Sequence, residues 1–196
     1  MNIKPSQKTG EVVVKLAAGD EALLAAGAPP PEPAVFCLKK ILVPVDFSDC
    51  SRKALQYAVP MARQNGSSLT LLYVGVLPDY LGLDGGGFDY GIYDPDFSAV
   101  EADLRASGQQ RLDQLIAEQV PREVPCETLI QVGAPKSEIL AAARNLPADL
   151  IILSTHGRTG LKHVLLGSVA EHVVREAPCP VLVVREREHE FLATKS

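Results

Sequence analysis

The sequence predicts an α/β protein: a parallel β-sheet covered by helices on both faces. Three features of the chain point to it. From residue 39 onward, five short apolar runs alternate with stretches of helical periodicity, and strands that alternate with helices join through right-handed crossovers into a parallel sheet. The runs are near-continuously apolar rather than alternating, as in residues 39–45 (Lys-Lys-Ile-Leu-Val-Pro-Val), a pattern that suits strands buried on both faces. With 196 residues, 46% of them hydrophobic and 22% charged, the chain suffices for one globular domain with a sizeable core.

Residues 1–38 stand apart from that alternation. Residues 11–16 (Glu-Val-Val-Val-Lys-Leu) read as a strand, and Asp20 is suited to cap a short helix over residues 21–26, before Gly27. Pro29, Pro30, Pro31 and Pro33 then form an extended linker, because consecutive prolines lack the N–H groups a helix needs and favour polyproline II. This N-terminal extension is either a flexible arm or an extra strand for a sheet edge or a neighbouring chain, since its valines would be exposed if left alone.

Residues 39–45 form the first core strand, and Pro44 near its end lets the ladder stop there. Asp46-Phe47-Ser48 follows, with Ser48 placed to cap a helix over residues 50–64. That helix puts Leu55, Ala58, Met61 and Ala62 on one face, and Pro60 is expected to bend it. Residues 68–76 are the second strand. The next segment, residues 77–98, holds Gly82, Gly85, Gly86, Gly87 and Gly91 among Tyr80, Phe88, Tyr90, Tyr93 and Phe97. It contains no G-x-G-x-x-G, which excludes a dinucleotide fingerprint. A loop of this length inside a compact domain is functional or disordered, and its aromatics favour packing, on the same domain or on a partner, over a mobile lid.

A helix over residues 99–119 turns Leu104, Leu112, Leu115 and Ile116 inward, with Gly108 as its weak point. Residues 126–132 are the third strand. Pro135 stands where a first-turn proline belongs, ahead of a helix over residues 136–145. A strand over residues 149–153, a helix over residues 168–176 and a last strand over residues 181–184 complete the alternation.

The chemistry concentrates between the last two strands. The apolar run of residues 150–153 stops at Ser154 and Thr155; a loop with Gly157, Arg158, Lys162 and His163 follows, and Gly167-Ser168 opens a helical pattern. Glycines let the backbone approach a ligand closely. A helix start offers unpaired N–H groups with a partial positive charge, which suits an anion. Ser168 with Glu171 also has the spacing of a capping box, which would start the helix at that serine. The stretch reads as a phosphate site.

The string Ser-Thr-His-Gly-Arg-Thr-Gly from Ser154, the nine residues 158–166, Gly167-Ser168, and Ala-Pro-Cys-Pro-Val-Leu-Val-Val from Ala177 closely resemble the signature of the universal stress protein family. Its nucleotide-binding members carry Gly-x-x-Gly, nine residues, then Gly followed by Ser or Thr. Gly157, Gly167 and Ser168 fall in place, and Ser154 stands where the first glycine would be.

The resemblance covers about residues 38–185. It implies an open five-stranded parallel sheet, Rossmann-like and of the adenine nucleotide alpha hydrolase type. It places the domain at residues 39–186, the extension at residues 1–38 and a C-terminal tail at residues 187–196. It also implies that Pro44, Val45 and Asp46 meet adenine and ribose, that Val74 lies against the base, and that Gly157, Gly167, Ser168 and Val169 meet phosphate. Ser154, Thr155 and Arg158 belong to the same loop. Because ligands of open α/β sheets sit beyond the carboxyl ends of the strands, Asp46 and the glycine loop can border one crevice. The implied ligand is ATP, ADP or AMP, with or without Mg. The implied assembly is a homodimer of two-fold symmetry paired along Val181–Val184, an apolar edge.

Catalysis is not indicated. His156 and His163 have no second residue with which to form a triad, and the chain has no P-loop and no aspartate pair to hold magnesium. A nucleotide sensor is favoured, with hydrolysis at most slow. One alternative is a scaffold of the same fold that binds no nucleotide, for which Ser154 and the aromatic loop speak. An adenylating enzyme would need a Ser-Gly-Gly-x-Asp-Ser loop, which is absent.

A net charge of −5 without a basic cluster argues against a nucleic-acid surface, and the alternating charges of residues 185–190 suit a solvated end. Cys37, Cys50, Cys126 and Cys179 form no C-x-x-C pair, so neither zinc nor a redox dithiol is suggested, and free thiols fit a reducing compartment. Without a signal-peptide pattern or an apolar run of membrane-spanning length, a cytoplasmic location with no membrane partner is expected.

Overall fold

The computed structural model describes residues 2–5, 12–15, 37–77, 98–155 and 166–185. The chain divides into two compact units, residues 1–36 and residues 37–196. In the first, β1 (Asn2–Pro5) pairs antiparallel with β2 (Val12–Lys15), Asn2 opposite Lys15 and Pro5 opposite Val12. The valine run is therefore a strand within the expected residues 11–16, and its partner is a segment with a single aliphatic side chain that periodicity does not flag. The expected helix over residues 21–26 and the proline linker lie outside the described residues.

The second unit holds β3 (Lys40–Pro44), α1 (Asp49–Asn65), β4 (Ser68–Gly75), α2 (Ser98–Gln119), β5 (Cys126–Val132), α3 (Pro135–Asn145), β6 (Leu150–Ser154), α4 (Ser168–Glu176) and β7 (Val181–Val184). Its five strands form one sheet in the order β5-β4-β3-β6-β7, every pair parallel. From β3 the chain steps outward to β4 and β5, then returns past β3 to β6 and β7. The strand order thus reverses between β3 and β6.

The sheet is apolar on both faces because both are covered, as predicted. Successive residues of a strand point to opposite sides. Ile41, Val43, Val45, Leu69 and Leu71 pack with Leu55, Ala58 and Ala62 of α1 and Leu112 and Leu115 of α2. Leu42, Leu72, Ile151 and Leu153 pack with Ile139, Ala142 and Ala143 of α3 and Ala170 and Val173 of α4. Each large aliphatic side chain buried in this way contributes on the order of 1.5–3 kcal/mol of transfer free energy.

The helix signals resolve in detail. Ser48 caps α1 by accepting the Ser51 N–H at 3.2 Å. Gly66 ends the helix at φ 67° with its N–H on the Ala62 carbonyl, a left-handed cap that glycine takes without penalty. Pro135 occupies the first turn of α3. Gly108, the weak point of α2, has a packing purpose: a Cβ there would lie 2.6 Å from Cδ1 and 2.9 Å from Cε1 of Tyr73. The missing side chain lets the helix rest on that ring. Among the described residues no helix is long and apolar enough to cross a membrane. The aromatic loop lies, but for its end residues, outside the described residues, as do residues 186–196.

Candidate functional site

β3 and β6 are adjacent and parallel, so the residues that follow them leave the sheet at the same end, where the strand order reverses. That crevice is where open α/β sheets take ligands. Asp46 and Thr155 stand there, one after each strand.

Past β3, Val45 leaves the ladder, but its N–H still donates to the Leu72 carbonyl at 2.8 Å. Its side chain is buried in the core beneath α1 and α2, which leaves main-chain atoms as what Val45 can offer a ligand. Pro44 is half-buried. Oδ1 of Asp46 accepts both the Ser48 N–H at 3.1 Å and the Ser48 Oγ–H at 2.6 Å. This is an Asx turn fused to a helix cap, because Ser48 Oγ also receives the Ser51 N–H while the buried Ser51 hydroxyl donates to the Ser48 carbonyl at 3.0 Å.

At the centre of the turn Phe47 has φ 65°, the one positive value at a non-glycine among the described residues. A bulky side chain in that region costs on the order of 1 kcal/mol or more. The Phe47 ring centre lies 5.0 Å from that of Tyr73 at an interplanar angle of 44°. The Arg111 guanidinium carbon sits 3.8 Å over the Phe47 ring, a cation–π arrangement.

Past β6, the Thr155 N–H donates to the Val184 carbonyl at 2.9 Å, and the Thr155 carbonyl accepts the Gly167 N–H at 2.8 Å. The first bond ties the end of β6 to β7, and the second ties the start of α4 to the end of β6. Gly167 is the N-cap in extended geometry, and as a glycine it makes no side-chain cap bond. The first-turn amides of the helix therefore stand at this end of the sheet with the partial positive charge of the dipole.

The capping box is corrected here. The helix starts one residue earlier than a Ser168 cap requires, because the Glu171 N–H pairs with the Gly167 carbonyl at 2.9 Å. Ser168 is the first helical residue and is exposed. The Glu171 carboxylate turns the other way, to Arg175 at 3.0 Å.

Val74 at the end of β4 and Val169 in the first turn of α4, with Leu166, are half-buried against one apolar cluster, the core under α3 and α4. Ser154 closes β6. The structure thus gathers Pro44, Val45, Asp46, Val74, Ser154, Thr155, Gly167, Ser168 and Val169 at the carboxyl end of the sheet. Gly157 and Arg158, with His156, Lys162 and His163, lie outside the described residues. Sequence reasoning passed over Phe47, Tyr73 and Arg111; the available signal was a large aromatic between an aspartate and a capping serine.

Other reactive groups lie elsewhere. Burial, with Glu127 adding to it, pushes the Cys126 thiol up to about 11, and burial followed by the Asp149 charge raises that of Cys179. Both favour the inert thiol over the nucleophilic thiolate. No group of three metal-binding side chains occurs among the described residues. A hollow of about 560 Å³ lined by Ile116, Val120, Pro121, Val124 and Cys126 opens at the amino end of β5, away from this site.

Residues 38–185 match the universal stress protein family. The sequence is 34% identical to the universal stress protein MJ0531 of Methanocaldococcus jannaschii, over 78% of this chain and 85% of that one. Among solved structures, MJ0577 of the same organism aligns with a TM-score of 0.65 at 28% identity, over 79% of this chain and all of that one. UspA of Lactobacillus plantarum aligns with a TM-score of 0.59 at 30% identity, over 77% of this chain and all of the other.

Proposed function

From the premise that this chain belongs to the universal stress protein family, we propose that it is a regulatory protein of the stress response. On this reading it binds an adenine nucleotide across the carboxyl ends of β3 and β6 and acts as a homodimer. One observation carries the reading. The Thr155–Gly167 hydrogen bond holds the N-terminus of α4, whose cap residue is a glycine, at the same sheet end as Asp46, so donors for a phosphate and an acceptor for ribose hydroxyls flank one crevice.

The roles divide accordingly. Main-chain amides at Ser168 and Val169, in the helix start that Gly167 opens, with Gly157 and Arg158 of the intervening loop, hold phosphate. Asp46 takes the ribose, while Pro44, Val45 and Val74 border the base. Ser154 and Thr155 set the width of the crevice. The nucleotide is ATP, ADP or AMP, and Mg would accompany a polyphosphate. The protein acts in the cytoplasm as a sensor.

The dimer forms through β7. At the opposite edge, α2 lies over β5: Arg105 donates to the Ile130 carbonyl at 3.0 Å and Gln109 to Thr128 Oγ1 at 3.2 Å. β7 presents Val181, Leu182 and Val183 half-buried, and an apolar edge of this kind invites pairing with a second copy. Light scattering at micromolar concentration should show a dimer; a monomer alone would overturn that part.

The decisive experiment is to release and identify nucleotide from the purified protein and to titrate ATP and AMP into wild type and Gly167→Asp. Aspartate is a good N-cap, so the variant should fold at least as well while placing a carboxylate where the phosphate belongs. Saturable binding by wild type, weakened at least tenfold in the variant, is expected. No saturable binding below millimolar concentration would leave the second reading, a scaffold without nucleotide, which Ser154 in the place of the first motif glycine favours. Steady ATP turnover abolished by changing His156 would instead indicate a hydrolase.

A further inference from the structure

We infer that Phe47 is a positioning residue for Asp46: clamped by Arg111 and Tyr73, it holds the turn after β3 in the one conformation that fixes the Asp46 carboxylate. The consequence for ligand binding rests on the nucleotide reading above; the positioning itself does not.

Both Ser48 bonds to Asp46 Oδ1 span Phe47, which stands at a left-handed φ. Phenylalanine is a poor occupant of this region, where glycine fits without strain. The conformation therefore persists only if the surroundings over-determine it.

The ring contacts supply that constraint, and they trace to one helix face. Gly108 and Arg111 are three residues apart on α2 and so lie on the same side. Gly108 admits the Tyr73 ring against the helix backbone, and Arg111 covers the Phe47 ring at 3.8 Å. Tyr73, 8% exposed, joins the two at 5.0 Å from Phe47. The seating of α2 on the sheet is thereby transmitted to the carboxylate at the sheet end. A glycine in place of Phe47 would satisfy the backbone and lose the clamp.

That contrast makes Phe47→Gly the informative variant, with Phe47→Tyr as the ring-preserving control and Arg111→Gln as a change outside the crevice. Amide exchange of Ser48, read by NMR on the nucleotide-free full chain, should quicken at least tenfold in Phe47→Gly, less in Arg111→Gln, and stay near wild type in Phe47→Tyr. ATP affinity should fall five- to tenfold in Phe47→Gly, and that fall should vanish when Asp46 is already alanine.

A general loss of structure would instead weaken binding equally in both Asp46 backgrounds. That result, or unchanged Ser48 exchange in Phe47→Gly, would overturn the inference. If wild type binds no nucleotide, the proposed function fails while Ser48 exchange still decides whether Phe47 orders the turn.

Discussion

At the amino end of the sheet, Asp149 accepts the Lys39 and Lys40 amides on one carboxylate oxygen at 2.8 and 2.9 Å. At the carboxyl end, Asp46 accepts the Ser48 amide and hydroxyl on one of its own. The same chemistry is put to opposite uses. Asp149 ties together segments 110 and 109 residues apart, and its neighbours act alike: Ser67 Oγ donates to the Leu38 carbonyl at 2.6 Å, and the Ile151 N–H to that of Pro180 at 3.0 Å. Asp46 reaches two residues along the chain, and the helix start at the same sheet end has a glycine as its cap residue. One end spends its polar groups on closing the fold; the other arranges them around a crevice.

Replacing Asp46 should test that division hardest. In Asp46→Ala, ATP affinity is expected to fall about a hundredfold, in keeping with about 1.5–3 kcal/mol for a hydrogen bond to a charged group. Urea denaturation should show a smaller change, because Ser48 keeps its cap on Ser51. Equal losses of affinity and stability would erase the distinction between the two ends.

Gly108→Ala comes next, and it acts on stability. The added methyl would press on the Tyr73 ring at 2.6 Å. Overpacking of about 1–3 kcal/mol outweighs a gain of about 1 kcal/mol in helix propensity, for a net loss of about 1 kcal/mol by urea denaturation. The Ser48 amide should exchange faster than in wild type, because Tyr73 also supports Phe47. A stabilised variant would mean that α2 can lift from the sheet at no expense.

These two residues also mark how far the chain could be read without coordinates. The five strands of the sheet were legible because burial on both faces demands continuous apolar runs, and the carboxyl-end site because a small-residue loop before a helix has a local signature. β1 escaped because Asn-Ile-Lys-Pro has no period of its own and becomes a strand only by pairing with β2. The purpose of Gly108 escaped because the Tyr73 ring beneath it lies 35 positions earlier in the chain. Phe47 escaped because its φ is a property of contacts with Tyr73 and Arg111, not of the Asp-Phe-Ser tripeptide. The range of α4 was read correctly but its cap was assigned to Ser168 instead of Gly167, since Ser168 and Glu171 have capping-box spacing while the Gly167 carbonyl takes the amide. What was missed is long-range in each case but the last, where two local solutions compete.

The smallest expected effect isolates the amino end. The Lys40 amide, then the Lys39 amide, hold the Asp149 carboxyl below its ordinary pKa. Its contribution to stability is therefore present above the unfolded value, about 3.9, and disappears as pH falls through the lower folded value. Because the group is exposed, solvent discounts two charge-assisted bonds to about 1 kcal/mol in total. Asp149→Asn should cost about that much at pH 7 in urea denaturation while leaving ATP affinity unchanged. Toward acid the wild-type side chain takes up its own proton and becomes a near-isostere of asparagine, so the gap between the two proteins should narrow below about pH 4 and close at lower pH. A gap that stays constant with pH would mean that the carboxylate charge contributes nothing and that shape alone holds β3 to the start of β6. A loss of ATP affinity in the same variant would mean that the two ends of the sheet are coupled through β3, and that the division of labour between Asp149 and Asp46 is one of degree.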